Sequence, residues 1–479
     1  MSEDPRGVDG PRGHRTRPVQ WRPDRRPTDP CRLAAYDILR AVDTDSAYAN
    51  LVAQKVLAEA ELHGRDAAFT TALAYGTLRR RGFIDAVLAS CSDRPIGEVD
   101  AGVLDVLRLG AQQVLFLNTP PHAAVGETVQ LARLVGGEAR SKFVNAILRR
   151  VGERDLDEWI SRVAPDPNLD PAGHLAVAQS HPRWIVDALH DALSTWSGAP
   201  SWADTEALLA ADNEPGGVTL VARPGRADVE DLLEIEGTRR GQWSPYAVHL
   251  GGGAPGDLAA VRSGDVGVQD EGSQLVALAL ARAPIDGPDT AWLDMAAGPG
   301  GKAALLAGLG YERGARLVAV DRATHRAGLV AQSLSGAPGH HISVAADSTS
   351  GPWRPGAFDR VLLDAPCTGL GVIRRRPESR WRREPSDVAE LADLQTRLLF
   401  SAIAAVRVGG VVGYATCSPH VAETDVVVET AMRRGDLERI DVRPLLPEVT
   451  DLGAGPDLRL WPHIHGTDGM FLALLRRVR

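Results

Sequence analysis

The spacing of apolar residues changes along the chain and divides it into three regions. Over residues 30–151 apolar side chains recur every three or four positions, which places them on one face of a helix. Examples are Ala35, Ile38, Leu39 and Val42, followed later by Val103, Val106, Leu107 and Ala111. This spacing predicts an all-α domain over residues 30–151.

The next region mixes both periodicities. Helical spacing follows His181-Pro182, whereas the run 218–223 is rich in β-branched residues and predicts a strand. Ala227 to Leu233 predicts a short helix. We therefore expect a small α+β module over residues 152–265 that joins the helical domain to the rest of the chain.

Residues 266–479 contain short, continuous apolar runs bounded by turn signals. Val361 to Leu363 leads into Asp364-Ala365-Pro366-Cys367, and Val411 to Ala415 leads into Thr416-Cys417. Such runs are typical of parallel strands covered on both faces, so we predict an α/β Rossmann-like domain. Ligands gather at the carboxyl ends of such strands, which makes the two cysteines candidates for chemistry.

Composition narrows the class of protein. A chain of 479 residues is too long for one core, and it contains no apolar run of membrane-spanning length. Its four cysteines lack the spacing of a disulfide framework or zinc site, so we expect a cytoplasmic protein without a metal. The net charge of −9 neither supports nor excludes nucleic-acid binding, because binding depends on where charge is clustered.

Basic residues are concentrated in a few places. Residues 1–29 are rich in Arg, Pro and Gly, and we predict a disordered arm there. Basic clusters elsewhere in the chain can be solvated surface or can bind phosphate groups. We predict that these clusters contact RNA. These candidates are Arg79, Arg80, Arg149, Arg150, Arg374, Arg375, Arg376 and Arg380.

A glycine-rich loop connects a predicted strand to a predicted helix. It contains Ala296, Ala297, Gly298, Pro299, Gly300 and Gly301. A Walker A loop is excluded, because Ala296 stands where its first glycine is required and Ala303 where Ser or Thr is required. The dinucleotide pattern is met by Gly298, Gly300 and Ala303, with Asp321 at a suitable distance.

An S-adenosylmethionine site agrees better with the surrounding charges. Asp294, at one strand end, can take the cofactor's ammonium group, and Lys302 can meet its carboxylate. Asp321, with Arg326 beside it, can accept the ribose hydroxyls, and Asp347 can reach the adenine amine. Acids at successive strand ends are harder to explain as helix caps than any one of them alone.

Several stretches resemble known families. Residues 75–80 and 143–150 are similar to the NusB family of RNA-binding helical domains. Residues 293–302, 364–367 and 414–418 resemble RNA cytosine-5 methyltransferases. Together they resemble the RsmB (Sun, Fmu) branch, which methylates small-subunit ribosomal RNA. The resemblance covers nearly everything after residue 30.

This resemblance implies a mechanism. Cys417 would attack carbon 6 of a cytosine, Asp364 would hydrogen-bond the base, and Cys367 would take part in releasing the adduct. The resemblance also implies an RNA partner, and we expect a monomer that does not bind membranes. Two departures affect substrate choice: Thr368-Gly369 follows Cys367 where the family often has Ser-Ala, and Thr424 follows Glu423 where it has Asn.

Two alternatives stay open. The chain could be a transfer-RNA cytosine methyltransferase, although a NusB-like domain favours ribosomal RNA. It could also be a non-catalytic RNA-binding or transcription adapter. The presence of Lys302, Asp364, Cys367 and Cys417 favours an enzyme.

Overall fold

The computed structural model describes residues 28–44, 47–117 and 119–479. The predicted arm over residues 1–29 therefore lies almost entirely outside the described residues. The helices are α1 (Pro30–Thr44), α2 (Ala49–Glu59), α3 (Gly64–Cys91), α4 (Ala101–Phe116), α5 (Pro121–Val151), α6 (Leu156–Val163), α7 (Pro171–Ala178), α8 (Arg183–Ser197), α9 (Trp202–Ala211), α10 (Val229–Leu233), α11 (Ala259–Arg262), α12 (Glu271–Arg282), α13 (Gly301–Tyr311), α14 (Thr324–Leu334), α15 (Pro385–Ala405), α16 (Asp425–Met432) and α17 (Pro462–His465). The strands are β1 (Val218–Ala222), β2 (Thr238–Arg240), β3 (Ala247–Leu250), β4 (Val266–Val268), β5 (Ala291–Asp294), β6 (Arg316–Asp321), β7 (His341–Ala345), β8 (Phe358–Asp364), β9 (Val406–Thr416), β10 (Leu437–Ile440), β11 (Leu458–Leu460) and β12 (Met470–Arg477).

Helices α1 to α5 form the predicted all-α region. The apolar faces predicted for α1 and α4 are buried in one shared core, to which α3 and α5 also contribute. The Asp100 side chain accepts a hydrogen bond of 3.2 Å from the Val103 N–H and so caps α4. Helix α5 is interrupted at Gly137, whose φ of 81° lies in the left-handed region that favours glycine. Among the described helices, none combines the length and apolar character needed to cross a bilayer.

The middle region contains α6 to α9 followed by a small antiparallel sheet. Helix α8 and strand β1 occur where the sequence predicted them. The sheet has the order β2-β3-β1-β4, in which β4 pairs with β1 through Leu220 and Val268. Strand β4 therefore belongs to this sheet, although the sequence analysis assigned residues from 266 onward to the next domain. The predicted boundary cuts the sheet because pairing between distant strands is invisible to local periodicity.

The large sheet has the order β10-β12-β9-β8-β5-β6-β7, with β11 paired to β12. Strands β7, β6, β5, β8 and β9 run parallel, and β12 is antiparallel to both β9 and β10. Alternate residues of the central strands enter two cores: one contains α12 and α13, and the other contains α15 and α16. This double coverage explains the continuous apolar runs and agrees with the predicted Rossmann-like architecture.

Parallel pairing brings the strand ends to one edge of the sheet. Asp364 at the end of β8 is in register with Ala415 of β9, and Asp294 at the end of β5 is in register with Leu362 of β8. Strand β6, which ends at Asp321, neighbours β5 on the other side. The residues after these four strands therefore share one edge, where a ligand site is expected.

Candidate active site

A cleft of about 1230 Å³ opens at the carboxyl ends of β5, β6, β8 and β9. The predicted site residues that line it are Ala296, Gly298, Asp321, Arg326, Asp347, Asp364, Cys367, Arg376 and Cys417. The cleft therefore brings part of the predicted cofactor set and the two predicted catalytic cysteines into a single cavity. The predicted cofactor residues that do not line it are Asp294, Ala297, Pro299, Gly300, Gly301 and Lys302. Arg79, Arg80, Arg149 and Arg150 do not line it.

The two cysteines face each other across the ends of β8 and β9. Their Sγ atoms lie 3.4 Å apart, and both thiols are free and half-buried. The pKa of the Cys367 thiol is raised well above its ordinary value, because it is hydrogen-bonded to Cys417, is buried, and faces nearby negative charge. Cys367 therefore holds its proton more tightly than an ordinary thiol does, and either sulfur can be the donor in the contact between them.

A buried carboxylate, Glu423, holds the two cysteine loops together. Its Oε1 accepts hydrogen bonds from the Thr368 N–H (2.8 Å) and from Gln395 Nε2 (3.0 Å). Its Oε2 accepts from the Ser418 hydroxyl (2.6 Å) and from the Thr368 hydroxyl. Because Thr368 follows Cys367 and Ser418 follows Cys417, one side chain fixes the position of both thiols.

From the sequence, Glu423 stands out only as a family feature, and its role in holding the two loops was not predicted. Gln395, which lies within α15, also donates 2.9 Å to the Pro366 carbonyl next to Cys367. Nothing in the local sequence singles out Gln395. A buried polar residue on a helix could have been found only from its partners, which lie 28 and 29 positions away.

Asp364 and Lys302 form an ion pair at the cleft, with Lys302 Nζ 2.8 Å from Asp364 Oδ2. Burial opposes the charged form of Lys302, but the charge and hydrogen bond of Asp364 outweigh it and raise the Lys302 pKa. The electrostatic interaction with Cys417 also raises the Lys302 pKa. The pair thus supplies both a hydrogen-bond acceptor and a positive charge near the Cys417 sulfur.

Asp294 is completely buried, and neither of its carboxylate oxygens has a hydrogen-bond partner. Burial raises its pKa to about 7, the charge of Asp364 adds to the rise, and Lys302 opposes it. The Ala296 N–H also opposes the rise without reaching hydrogen-bond geometry. A buried carboxylate without partners is unfavourable, and a ligand's positively charged group would satisfy it.

The glycine-rich loop packs directly against Asp321. The Gly298 N–H donates to Asp321 Oδ2 (3.1 Å), and the Ala323 N–H donates to Asp321 Oδ1 (2.9 Å). A Cβ atom at Gly298 would lie 2.4 Å from Asp321 Oδ2, so glycine is required for this close approach. Arg326 lies 3.4 Å from the same carboxylate, as the sequence predicted.

Asp347 lies at the more open end of the cleft. Its carboxylate accepts from the Thr349 hydroxyl (2.7 Å) and the Thr349 N–H (2.9 Å), and these hydrogen bonds lower its pKa. The oxygen not used by Thr349 lies 3.7 Å from the Arg322 Nε atom, and the Asp347 side chain is about half exposed.

Most of the arginines predicted to contact RNA have other partners. Arg380 is completely buried and donates to the Arg79 and Ser180 carbonyls and to Asn213 Oδ1. Burial lowers its pKa to about 9. Its neighbour Trp381 donates 3.0 Å to the Leu78 carbonyl of α3. Arg380 therefore joins the three regions of the chain and has no surface for RNA, so that prediction is wrong for this residue.

Three further arginines of the predicted set are also engaged. Arg79 is buried and donates 3.1 Å to the Arg374 carbonyl. Arg374 and Arg375 both pair with Asp270 and Asp468. These contacts hold the basic run after Cys367 against the protein interior. A basic segment can therefore stabilise the fold as well as bind phosphate.

The other four predicted arginines keep more surface. Arg376, Arg149 and Arg150 are exposed, and Arg80 is half-buried over the ring of Phe116. Arg150 also donates 2.7 Å to the Cys91 carbonyl. Their contact with RNA stays a prediction.

Comparison with known proteins identifies the family. Residues 280–476 match the family model described as 16S rRNA methyltransferase RsmB/F, and residues 29–153 match the NusB family model. The chain is 52% identical over 457 residues to a putative methyltransferase, MT1451, of Mycobacterium tuberculosis (strain CDC 1551 / Oshkosh), covering 95% of this chain and 98% of that protein. It is 31% identical over 455 residues to the probable ribosomal RNA small subunit methyltransferase B of Bacillus subtilis (strain 168), covering 92% of this chain and 98% of that protein.

This chain belongs to the RsmB/F family of RNA methyltransferases. Enzymes of this family use S-adenosylmethionine, so the methyltransferase and NusB-like assignments made from the sequence are confirmed. We call the region α1 to α5 the NusB-like domain. In the part of this methyltransferase that the structure describes, no three His, Cys, Asp or Glu side chains approach closely enough to hold a metal ion.

Solved structures share the fold of this methyltransferase. The crystal structure of PH0851 matches with a TM-score of 0.74 at 22% identity, covering 94% of this chain and 99% of that one. The structure of NSun6 from Pyrococcus horikoshii with SFG matches with a TM-score of 0.51 at 20% identity, covering 61% and 98%. At these identities the likeness shows the fold alone.

Proposed function

We propose that this methyltransferase transfers a methyl group from S-adenosylmethionine to carbon 5 of a cytosine in 16S ribosomal RNA through a covalent adduct with Cys417. The observation that carries the proposal is the pair of thiols 3.4 Å apart beside Asp364, in a cleft that several of the predicted cofactor residues also line. The RNA named for the relative from Bacillus subtilis supports the choice of substrate. We expect the protein to act as a monomer in the cytoplasm, where ribosomal RNA is made.

The chemistry requires a nucleophile, because carbon 5 of cytosine reacts poorly until carbon 6 carries an adduct. The Cys417 thiolate adds to carbon 6, and the electron pair of the double bond moves toward the ring nitrogen and carbonyl. The Lys302 ammonium and the Cys367 thiol stabilise that thiolate before attack. Covalent catalysis by Cys417 is therefore consistent with its surroundings.

Asp364 orients the base. Lys302 is bonded to Asp364 Oδ2, which leaves Oδ1 to accept a hydrogen bond from the exocyclic amine of cytosine. The same pair stabilises the charge that develops when carbon 6 is attacked. After transfer, a base removes the carbon-5 proton, the ring double bond re-forms, and Cys417 leaves as a thiolate. We assign Cys367 to this release.

S-adenosylmethionine supplies the electrophilic methyl group, and several side chains fit it. Asp294 has the unpaired carboxylate that an ammonium group requires. Each Asp321 oxygen accepts one backbone N–H and retains capacity for a ribose hydroxyl. Lys302 uses one of its three donors on Asp364, so the others can reach the cofactor carboxylate. Asp347 completes the site at the adenine.

The test compares the two cysteines. We expect Cys417→Ala to lose methylation and to form no covalent RNA complex. The Cys367→Ala variant should still attack the cytosine and methylate it, but should then remain bound to the RNA through Cys417. This covalent complex should give a slowly migrating band on a denaturing gel. The band should vanish in the double variant. Cys91→Ala, which removes a buried thiol of the NusB-like domain, is the matched control and should behave as wild type.

Four results would contradict the proposal. A band from Cys417→Ala instead would exchange the two roles. Full activity of both single variants would exclude covalent catalysis. Bisulfite sequencing that finds methylation of transfer RNA but not of unmethylated 16S ribosomal RNA would mean that transfer RNA is the substrate. No methyl transfer to any RNA would favour the non-catalytic adapter.

A further inference from the structure

One aromatic residue of the NusB-like domain lies at the catalytic cleft. Tyr48 directly precedes α2, and its side chain lines the same cavity as Cys367 and Cys417. In the described part of the chain, the other lining residues all fall between positions 295 and 417. Tyr48 is 48% exposed, so its ring faces open space in the cleft instead of the core of its own domain.

The backbone around Tyr48 is held by the methyltransferase domain. The Ala49 N–H donates 3.1 Å to the buried Glu378 carboxylate. Arg382 donates to the Ala47 carbonyl (2.6 Å) and to the Val42 carbonyl (2.8 Å). These bonds lie on both sides of Tyr48. The backbone position of Tyr48 is therefore set by the docking of the two domains, which reduces the entropy lost when a ligand binds its ring.

A guanidinium group extends this aromatic surface. The Arg376 guanidinium lies 5.2 Å from the centre of the Tyr48 ring, and the Arg376 side chain is exposed. Arg383 and Arg397 also line the cavity, and each is paired with a carboxylate that lines it too, Asp387 at 3.6 Å and Asp393 at 3.1 Å. The local feature suited to an unpaired RNA base is therefore the exposed aromatic ring beside the Arg376 guanidinium plane, on which such bases stack.

A single exposed tyrosine on a protein surface needs no functional explanation. Tyr48 differs in two respects: its ring borders the cavity of the reacting thiols, and buried groups of another domain fix its backbone. A ring that served only the core of the NusB-like domain would be buried, as Phe83 is.

We infer that Tyr48 and Arg376 form a stacking site for an RNA base that flanks the target cytosine. The NusB-like domain would then take part in substrate recognition at the catalytic cleft itself. This inference rests on the proposed function only in requiring an RNA substrate, and it goes beyond it by assigning a base-binding site.

Binding of single-stranded RNA tests the inference without depending on methylation. The probe is a fluorescent nine-nucleotide RNA with a central cytosine, and a second probe carries abasic sites on both sides of that cytosine. Tyr48→Ala should weaken binding of the first probe about 5- to 150-fold, the range of one stacked base. Tyr48→Phe keeps the ring and should retain most of the affinity. Tyr311→Ala, at a tyrosine that is 54% exposed outside the cleft, is the matched control.

The abasic probe separates stacking from indirect effects. Wild type should bind it more weakly than the intact probe, whereas Tyr48→Ala should bind both equally. Affinity for S-adenosylmethionine and the unfolding temperature should stay unchanged in Tyr48→Ala. Equal losses in Tyr48→Ala and Tyr48→Phe, an unchanged penalty for the abasic probe, or no loss at all would overturn the inference. If the inference holds while no cytosine is methylated, only the proposed function fails.

Discussion

Replacing Glu423 tests whether one buried carboxylate positions both thiols. Glu423→Ala removes the acceptor of four donors: the Thr368 N–H, the Thr368 and Ser418 hydroxyls, and Gln395 Nε2. The hydroxyls keep each other at 3.0 Å, and Gln395 keeps the Pro366 carbonyl, so the Thr368 N–H loses its acceptor outright. One orphaned buried donor costs about 1–3 kcal/mol, and the cavity adds to this, so we expect a loss of about 2–4 kcal/mol in the free energy of unfolding.

The effect on catalysis should exceed the effect on stability. Both thiols lie next to residues that Glu423 holds, and displacement of reacting groups by about 1 Å can lower a rate about 100-fold. Single-turnover methylation should therefore slow by about that factor in Glu423→Ala, while S-adenosylmethionine affinity stays near wild type. Denaturing gels with Cys367→Ala added should show a matching fall in trapped RNA.

A conservative variant separates positioning from simple loss of packing. Glu423→Gln can still accept from the Thr368 N–H and Gln395, and its amide can donate to the two hydroxyls, so the rate should fall only about fivefold. Glu429→Ala, at an exposed glutamate of α16, is the matched control. Wild-type single-turnover rates in a folded Glu423→Ala variant would refute the positioning role.

Two further predictions concern ionisation and domain docking. Because the pKa of Asp294 is raised to about 7, the folded protein binds its proton more tightly than the unfolded chain does, so this group's contribution to stability falls as pH rises from about 4 toward 7. S-adenosylmethionine affinity should instead rise about tenfold per pH unit up to about pH 7, because the cofactor's ammonium group requires the ionised carboxylate. Calorimetry at several pH values should find that stability and cofactor affinity both depend less on pH in Asp294→Asn. An unchanged pH dependence in that variant would contradict the assignment. Arg380→Met removes buried hydrogen bonds to two other regions of the chain and should lower the unfolding free energy by about 3–5 kcal/mol, whereas Arg433→Ala, at an exposed arginine, should change it little. The dependence of RNA affinity on salt concentration should not change in Arg380→Met, because the buried guanidinium contacts no phosphate. A decrease of about one unit in the slope of log affinity against log salt concentration would mean that Arg380 does contact phosphate.

The arginine run after Cys367 illustrates a limit of sequence analysis. A cluster of charges next to a catalytic motif suggests phosphate binding, yet Arg374 and Arg380 are buried in the structure. Arg380 reaches residues 167 to 301 positions away, so its surroundings are decided by domain docking. Charge is a property of a residue, whereas exposure is a property of the fold.

The strand ends and the residues that follow them could be predicted without knowledge of the fold. The runs before Asp294, Asp321, Asp364 and Cys417 are apolar because both faces of a parallel sheet are covered, and such runs end where the chain must turn. The positions of these candidate groups therefore followed from the local pattern and from the family resemblance.

The interactions among these groups, in contrast, depend on how distant elements pack together. The 3.4 Å approach of the two thiols, the pairing of Lys302 with Asp364, and the Glu423 network all join residues far apart in the chain. Tyr48 reaches the cleft only because the NusB-like domain docks beside it. Periodicity shows which face of a helix or strand is buried. It does not show which element packs against that face, because that choice depends on contacts between distant segments that no local pattern encodes.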